Sequence, residues 1–526
     1  MQDYFLQNMK KVLAITVSDK NFFAGTLAAV NSFLHYNPNT DVLVVSSGEY
    51  NAPITDHQRN LLRHPRVKVK DHTDFAKPGR VLGAWQLKAY APADSCDEYD
   101  LIIGFDSDLL FCSNVNDIID LAIETGKFHG GKDGGGITYG VNYEPYGISS
   151  SELAPYMSTS CYFCPTTEVN KKILYSWAEK TNTAKYGPQE EKVYEGHGDQ
   201  GVLNACIFAE TKSENVSLLP NDAWSQHWVY EDHVVEWDGD SLKNFSTGKT
   251  MRTLHCGGSD KFWAPKHSEK RSTTGGSQRW GYAHFLRFLF LGECSNWEFD
   301  PSLAIPDNQH HLFTDLLYYH QLIEVMEPNF ADLYFEKVNW KFLDRITKKL
   351  GLRRAMSLCG DSSMDKYIEL AASLPGRSTI VEVGSFHGGS IVTLAAALAG
   401  RRHTIWSVES FTGNLDNTVD GHPLSHLKDF VDTVKTKVPF LNINTMQLPG
   451  QLAAHNFEDN SLELVLIDGD HSTEAVCRDI DVWLPKVKKG GILCGDDIGW
   501  KTVEDAVIEK FGNNFSKGQS VWWVYK

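Results

Sequence analysis

The chain reads as two α/β domains in tandem, joined by a helical connector. Three observations predict this. The length of 526 residues exceeds one ordinary domain, which spans roughly 100–200 residues. A strand-then-helix pattern begins at residue 12 and begins afresh at residue 378. Hydrophobic residues make up 42% against 22% charged, enough for each domain to bury a core and too apolar for disorder to dominate.

The first domain opens with the strand VLAITV (12–17), the loop SDKN, a helical run from Phe22 to His35, and the strand DVLVVSS (41–47). Apolar runs bounded by turn residues and alternating with helices predict a parallel sheet. YDLIIGFDSDLLF (99–111) is an apolar strand ending in Asp106-Ser107-Asp108. Residues two apart on an extended segment point to one side, so the two carboxylates converge and repel. A hard divalent cation, Mn²⁺ or Mg²⁺, relieves this and can also hold a diphosphate. Alone the pattern is weak, and a solvated strand-end turn is its commoner cause.

Two later segments add the company that such a site needs. GHGDQGVLNACIF (196–208) sets Asp199 and Gln200 ahead of a helix. TLHCGGSDKFW (253–263) ends a strand on His255, then supplies a Gly-Gly turn, Lys261 and Trp263. Histidine can be a third metal ligand, glycines admit a phosphate to the backbone, and lysine is a compact countercharge. In order along residues 11–285, SDKNF, AWQLKAY (84–90), D-x-D, DQxxLN and HxxGxxKxW resemble glycosyltransferase family 8, the group of glycogenin and bacterial lipooligosaccharide galactosyltransferases.

That resemblance implies a GT-A-type nucleotide-sugar-binding domain, with Asp106, Asp108 and His255 holding Mn²⁺ or Mg²⁺. It sets Asp19 and Asn21 against the uracil of a UDP-sugar, Gly258 and Lys261 on the diphosphate, and Asp199 and Gln200 beside the transferred sugar. Transfer would retain anomeric configuration, with the metal and Lys261 stabilising the departing diphosphate. MSTSCYFCPTTE (157–168) departs from the family's usual strand and leaves the sugar's identity open. Its Cys161 and Cys164 form one C-x-x-C, which fits a strand better than a four-ligand zinc site.

The second domain opens with STIVEVGSFHGGSIVTLAAALAG (378–400): strand, glycine-bearing turn, helix. Such a turn lets the backbone approach a nucleotide, whether NAD, FAD or S-adenosylmethionine. Glu409 ends the next strand, where an acid can accept from ribose hydroxyls. SLELVLIDGDH (461–471) then ends in Asp468, Asp470 and His471, and GGILCGDD (490–497) ends in Asp496 and Asp497. Strand carboxyl ends share one rim in a parallel sheet, so Asp468, Asp496 and Asp497 crowd there and call for a divalent metal. With the helix carrying Asp479 and Trp483, K-x-G-G-x-x-x-x-D-D and the final SVWWVYK, residues 360–526 resemble metal-dependent class I O-methyltransferases, especially those acting on antibiotic and polysaccharide sugars.

By that resemblance the fold is Rossmann-like, Glu382, Gly384, Ser385 and Glu409 contact S-adenosylmethionine, and Asp468, Asp496 and Asp497 hold Mg²⁺ on the acceptor hydroxyls. His471 is the candidate general base, with Asp470 as substitute, and His387 is a loop residue near the adenosine. The expected division is 1–285, a connector at 286–358, and 359–526.

The joint expectation is a bifunctional transferase that adds a sugar to a glycan acceptor and methylates a sugar hydroxyl. Its rivals are a glycan-binding or scaffold protein with decayed sites, and an NAD-dependent oxidoreductase in the C-terminal half. Fifty basic against 67 acidic residues, net −17, argue against bulk nucleic-acid binding. No apolar run reaches the 18 residues of a membrane span. The start shows no cleavable signal, and ten scattered cysteines make no disulfide framework, so the expected location is cytoplasmic.

Overall fold

The computed structural model describes residues 10–48, 53–75, 83–132, 156–181, 198–212, 214–224, 235–256, 261–263, 277–294, 304–309, 311–327, 360–398, 403–411, 423–437 and 443–526. They fall into two compact units, Met1–Pro328 and Asn329–Lys526. Gly258 and all of the expected connector beyond residue 327 lie outside the described residues. No described helix is long and apolar enough to cross a membrane.

The N-terminal unit is built on a seven-stranded sheet in the order β3-β2-β1-β4-β7-β6-β8. The strands are β1 Val12–Ser18, β2 Asp41–Ser46, β3 Val67–Asp71, β4 Leu101–Phe105, β6 Phe128–Lys132, β7 Met157–Pro165 and β8 Val216–Leu219. β5 Leu109–Phe111 stands outside this sheet. β1 to β4 run parallel, as the alternating pattern predicts, while β7 lies antiparallel to both β4 and β6. The helix Phe23–Tyr36 is buried along nearly its whole length. Its Ser32 Oγ accepts from the Phe111 N–H at 3.1 Å, tying it to β5.

Asp106-Ser107-Asp108 is a turn, where the sequence pattern predicts extended chain; the Leu109 N–H donates to the Asp106 carbonyl at 3.2 Å. The reason is a change of partner. β4 pairs with β1 and β7, whereas β5 leaves that sheet to pair antiparallel with β11, Thr253–His255. Between β8 and β11 lies a small hairpin of β9 Val235–Trp237 and β10 Leu242–Asn244. The β5–β11 register puts His255 opposite Leu109, next to the acids of the turn. Cys161 and Cys164 sit three apart on β7, so their side chains leave opposite faces of the strand.

The C-terminal unit carries its own seven-stranded sheet, β14-β13-β12-β15-β16-β18-β17. Its strands are β12 Thr379–Val383, β13 Thr404–Val408, β14 Ile443–Met446, β15 Leu462–Ile467, β16 Val487–Gly495, β17 Ser516–Gly518 and β18 Val521–Tyr525. The first five are parallel; β18 is antiparallel to β16. The chain runs outward from β12 to β14 and returns to β15, so strand order reverses beside β12. That switch point is where open α/β sheets form their ligand crevice. One core cluster packs Val381, Val465, Ile480, Trp483 and Trp522 on one face, and another packs Tyr367, Ile368, Leu464 and Val521 on the other.

Candidate functional sites

In the N-terminal unit the turn after β4 and the end of β11 bring Asp106, Asp108 and His255 together, one ligand atom of each lying within 4.8 Å of the others. His255 Nε2 is 3.6 Å from Asp106 Oδ2 and 3.3 Å from Asp108 Oδ1. Burial favours the neutral ring, but the two carboxylates outweigh it and raise the His255 pKa. Burial also opposes ionisation of Asp108; His255 and Lys261 overcome this and hold it well below the usual carboxylate range. Lys261 pairs with Asp108 and donates to the Cys256 carbonyl at 3.2 Å. Two oxygen donors and an imidazole on one buried rim are a donor set suited to a divalent cation such as Mn²⁺.

Gly25 fixes this rim to the first helix. A Cβ there would lie 2.0 Å from the Trp263 ring and 2.5 Å from the Ser107 carbonyl. Only glycine lets the helix pack against both the acidic turn and the Lys261–Trp263 segment. Trp263 also meets Phe22 edge to face at 5.3 Å.

Asp199 and Gln200 start the helix Gly198–Thr211 and are buried against β7. Asp199 Oδ2 accepts from Thr159 Oγ1 at 3.1 Å, and Gln200 Oε1 accepts from the Thr159 N–H at 3.0 Å. Asn204 extends this staple: its Oδ1 accepts from the Met157 N–H at 3.0 Å, and its Nδ2 donates to the Met157 carbonyl at 2.8 Å. The departing segment MSTSCYFCPTTE is thus held by the DQxxLN motif. Burial raises the Asp199 pKa, with Lys88 opposing.

Lys88 is a site residue that sequence reasoning missed. It lies on the helix Ala84–Ser95, inside AWQLKAY, and its Nζ is 2.5 Å from Asp106 Oδ1 and 3.9 Å from Asp199 Oδ2. Burial works against its charge, but Asp106 and Asp199 outweigh burial and raise its pKa. A small hollow lined by Thr16, Lys88, Asp106, Thr159, Tyr162 and Asp199 adjoins the cluster. Asp19 and Asn21 sit in the loop after β1. Asp19 Oδ1 accepts from the N–H groups of Asn21 and Phe22 at 2.8 and 3.0 Å, so this carboxylate braces the loop and the helix start.

In the C-terminal unit the rim beside β12 collects the second set. Gly384 has φ +94°, and a Cβ on it would lie 2.1 Å from the Asp468 carbonyl oxygen. Glycine is required both for the turn and for the contact between the ends of β12 and β15. Glu382 is buried, its Oε2 lacks a hydrogen-bond partner among the described residues, and burial pushes its pKa up to about 8. A buried carboxyl with one unpartnered oxygen beside a glycine turn fits a ligand bearing a donor or cationic group, such as the amino-acid end of S-adenosylmethionine. The Ser385 carbonyl accepts from the Gly388 N–H at 2.7 Å and closes the turn. Glu409 accepts from the N–H groups of Phe386 and Phe411 at 2.9 and 3.0 Å, holding the loops on both sides of the crevice.

Asp468, His471 and Asp497 form a second cluster, with ligand atoms within 4.8 Å of one another. His471 Nε2 is 3.7 Å from Asp468 Oδ1 and 3.2 Å from Asp497 Oδ2. Burial lowers the His471 pKa, but the two carboxylates override it and carry it up to about 10. Asp496 is buried and lies outside this group; its Oδ1 accepts from the Asp497 N–H at 2.9 Å. Asp497 has φ +55°, and this left-handed residue turns the chain between the two carboxylates. Asp470 Oδ1 accepts from the Ser472 N–H at 2.8 Å and so braces the turn that leads into the helix Thr473–Trp483. His387 Nε2 lies 3.8 Å from Asp429 Oδ2.

Residues 381–498 match the model of a methyltransferase domain family. No curated protein matches the chain. Among solved structures, the WbbM bifunctional glycosyltransferase is similar at 14% identity and TM-score 0.37, over 54% of this chain and 50% of its own. The chain thus spans half the length of that structure. The galactosyltransferase LgtC, solved with donor and acceptor sugar analogues, is similar at 14% identity and TM-score 0.34, over 53% of this chain and 95% of its own. The O-methyltransferase NovP is similar at 20% identity and TM-score 0.23, over 31% of this chain and 78% of its own.

Proposed function

We propose that the chain is a bifunctional transferase: the N-terminal unit transfers a sugar from a nucleotide-sugar, UDP-sugar favoured, to a glycan acceptor, and the C-terminal unit methylates a sugar hydroxyl with S-adenosylmethionine. One observation carries the reading. Each unit presents a separate carboxylate–histidine cluster at the end of its sheet, Asp106–Asp108–His255 in one and Asp468–His471–Asp497 in the other. The family 8 motif order supports the first activity, and the methyltransferase domain at 381–498 supports the second. In this reading the functional division is 1–285, 286–358 and 359–526, and the location is cytoplasmic.

In the first site Asp106, Asp108 and His255 would hold Mn²⁺ or Mg²⁺, whose charge would offset that of a leaving diphosphate. Lys261, already beside Asp108, lies where it can meet that diphosphate with Gly258, while Asp199 and Gln200 flank the sugar. Asp19 and Asn21 contact the base. In the second site Glu382, Gly384, Ser385 and Glu409 take the methyl donor, and Asp468, Asp496 and Asp497 hold Mg²⁺. His471, on the same rim, would be the residue placed to accept the hydroxyl proton.

The test is mass analysis of products from UDP-, GDP- and dTDP-sugars with and without S-adenosylmethionine. Asp106→Asn with Asp108→Asn should abolish sugar transfer and spare methylation of a supplied acceptor. Undiminished sugar transfer by the double variant in metal-free buffer would sink the first assignment. Thermal stabilisation by NAD and not by S-adenosylhomocysteine would replace the second by an oxidoreductase.

A further inference from the structure

The acid cluster of the C-terminal unit is flanked by a large aromatic side chain that the proposed chemistry does not use. Trp500 is 45% exposed, yet its ring stacks at 4.8 Å, tilted by 49°, on the imidazole of His471. Leaving half an indole in water forgoes burial that the hydrophobic effect would reward, and the position is not slack. The Trp500 N–H donates to the Asp497 carbonyl at 2.8 Å, and its own carbonyl accepts from the Glu504 N–H at 2.9 Å. Ile498 is buried, and its N–H donates to the Ser520 carbonyl at 3.0 Å, anchoring the turn from the other side. A Cβ on the preceding Gly499 would meet nothing within 4 Å apart from its own chain neighbours, so no other part of the fold closes over that turn residue.

We propose that Trp500 is the acceptor platform of this site: a positioning residue whose exposed ring packs on the C–H face of a sugar ring while Asp468, His471 and Asp497 engage the hydroxyls on its edge. The proposal rests on the methyltransferase reading above and names the acceptor chemistry of that site. An aromatic face beside clustered carboxylates is complementary to a pyranose, which carries an apolar face and a rim of hydroxyl donors. Ring stacking supplies orientation at little entropic cost, because an indole has two rotatable bonds and here its backbone is bonded on both sides.

The experiment compares the full-length wild type, Trp500→Ala and Trp500→Phe in methyl transfer from S-adenosylmethionine to the methyl glycosides of glucose, galactose and mannose, and to catechol. Trp500→Ala should raise the acceptor KM about ten-fold, the effect of one aromatic stacking contact, with kcat within about two-fold. Trp500→Phe should restore most of the acceptor affinity. The Kd for S-adenosylhomocysteine, read by calorimetry, should be the same in all three and reports that each is folded. An unchanged acceptor KM in folded Trp500→Ala overturns the platform, including the case where only kcat falls because the ring merely held His471. A wild type that methylates catechol and no glycoside overturns the sugar reading of the unit itself, independently of the variants.

Discussion

At the scale of single residues, the first site is a balance of buried charges. Asp106, Asp108 and Asp199 stand against Lys88 and Lys261, with His255 beside Asp106 and Asp108. Lys88→Met keeps the length of the side chain and removes the cation between two carboxylates. Leaving a buried charge without its partner typically costs about 3–5 kcal/mol, so urea denaturation at pH 7 without added metal should show a loss near that range. Recovery of much of it on adding Mn²⁺ would place the ion at the same carboxylates; a loss under 1 kcal/mol would make Lys88 an incidental neighbour. Glu382 gives a prediction with a sign. Its pKa is about 8 in the fold, above the ordinary glutamate value near 4.3. Stability from its neutral form is therefore complete below the unfolded value and drains away as pH rises through about 8. Asp479, raised to about 6 mainly by burial, adds a slope that ends earlier. The fall in unfolding free energy between pH 6.5 and 8 should thus be shallower in Glu382→Gln. The remainder comes from His471, whose pKa of about 10 in the fold makes it lose stability over the same window. An unaltered slope would show that Glu382 does not titrate there. The carboxylates of both sites were legible in the sequence because they end apolar strands. Lys88 was not: one lysine among Ala84, Ala89 and Ala91 looks like a solvent-facing residue until tertiary packing buries its helix.

At the scale of elements, turns do the positioning, and turns were the least legible part of the chain. The D-x-D pair does converge with His255, but through a turn set by the exchange of partners between β4 and β5, which no local pattern encodes. Likewise the left-handed backbone of Phe386, Phe411 and Asp497 falls on non-glycine residues, so composition gives no sign of it. It separates Asp496 from Asp497 and leaves His471 in the company expected of a third acid. Gly384 is the counterexample, because a glycine directly after a strand does announce a turn. Gly384→Ala meets both an unfavourable φ and the backbone carbonyl of Asp468 at 2.1 Å. Neither can relax without moving β12 from β15, so the loss should exceed the roughly 1 kcal/mol of a simple glycine-to-alanine penalty. Binding of S-adenosylhomocysteine should fall with it. Gly499→Ala is the control: its Cβ meets nothing within 4 Å, and a change beyond about 0.5 kcal/mol would contradict the geometry. Equal thermal shifts for the two variants would show that the β12–β15 contact is not what Gly384 serves.

At the scale of the whole molecule, two sheets with separate cores predict two cooperative units. Leu13, Val45, Leu87 and Ile102 pack within the first, and Val381, Val465, Trp483 and Trp522 within the second. This tandem arrangement was plain in the sequence, since a strand–helix pattern that starts again after residue 360 cannot extend a sheet already begun at residue 12 without a long connection. The antiparallel β7 and β18 were less visible, because strand direction leaves no mark on composition. Calorimetry of the full chain should therefore resolve two transitions, as multidomain proteins with independent cores commonly do. A ligand bound only by the native state stabilises by about 2.7 kcal/mol at a hundred-fold excess over its Kd. S-adenosylhomocysteine should shift one transition upward by several degrees and leave the other in place. UDP with Mn²⁺ should shift the complementary one, and Asp106→Asn with Asp108→Asn should cancel that second shift alone. A single transition moved by both ligands would mean that the two units unfold as one body, and the separate chemistry assigned to each would then have to be tested as a coupled system.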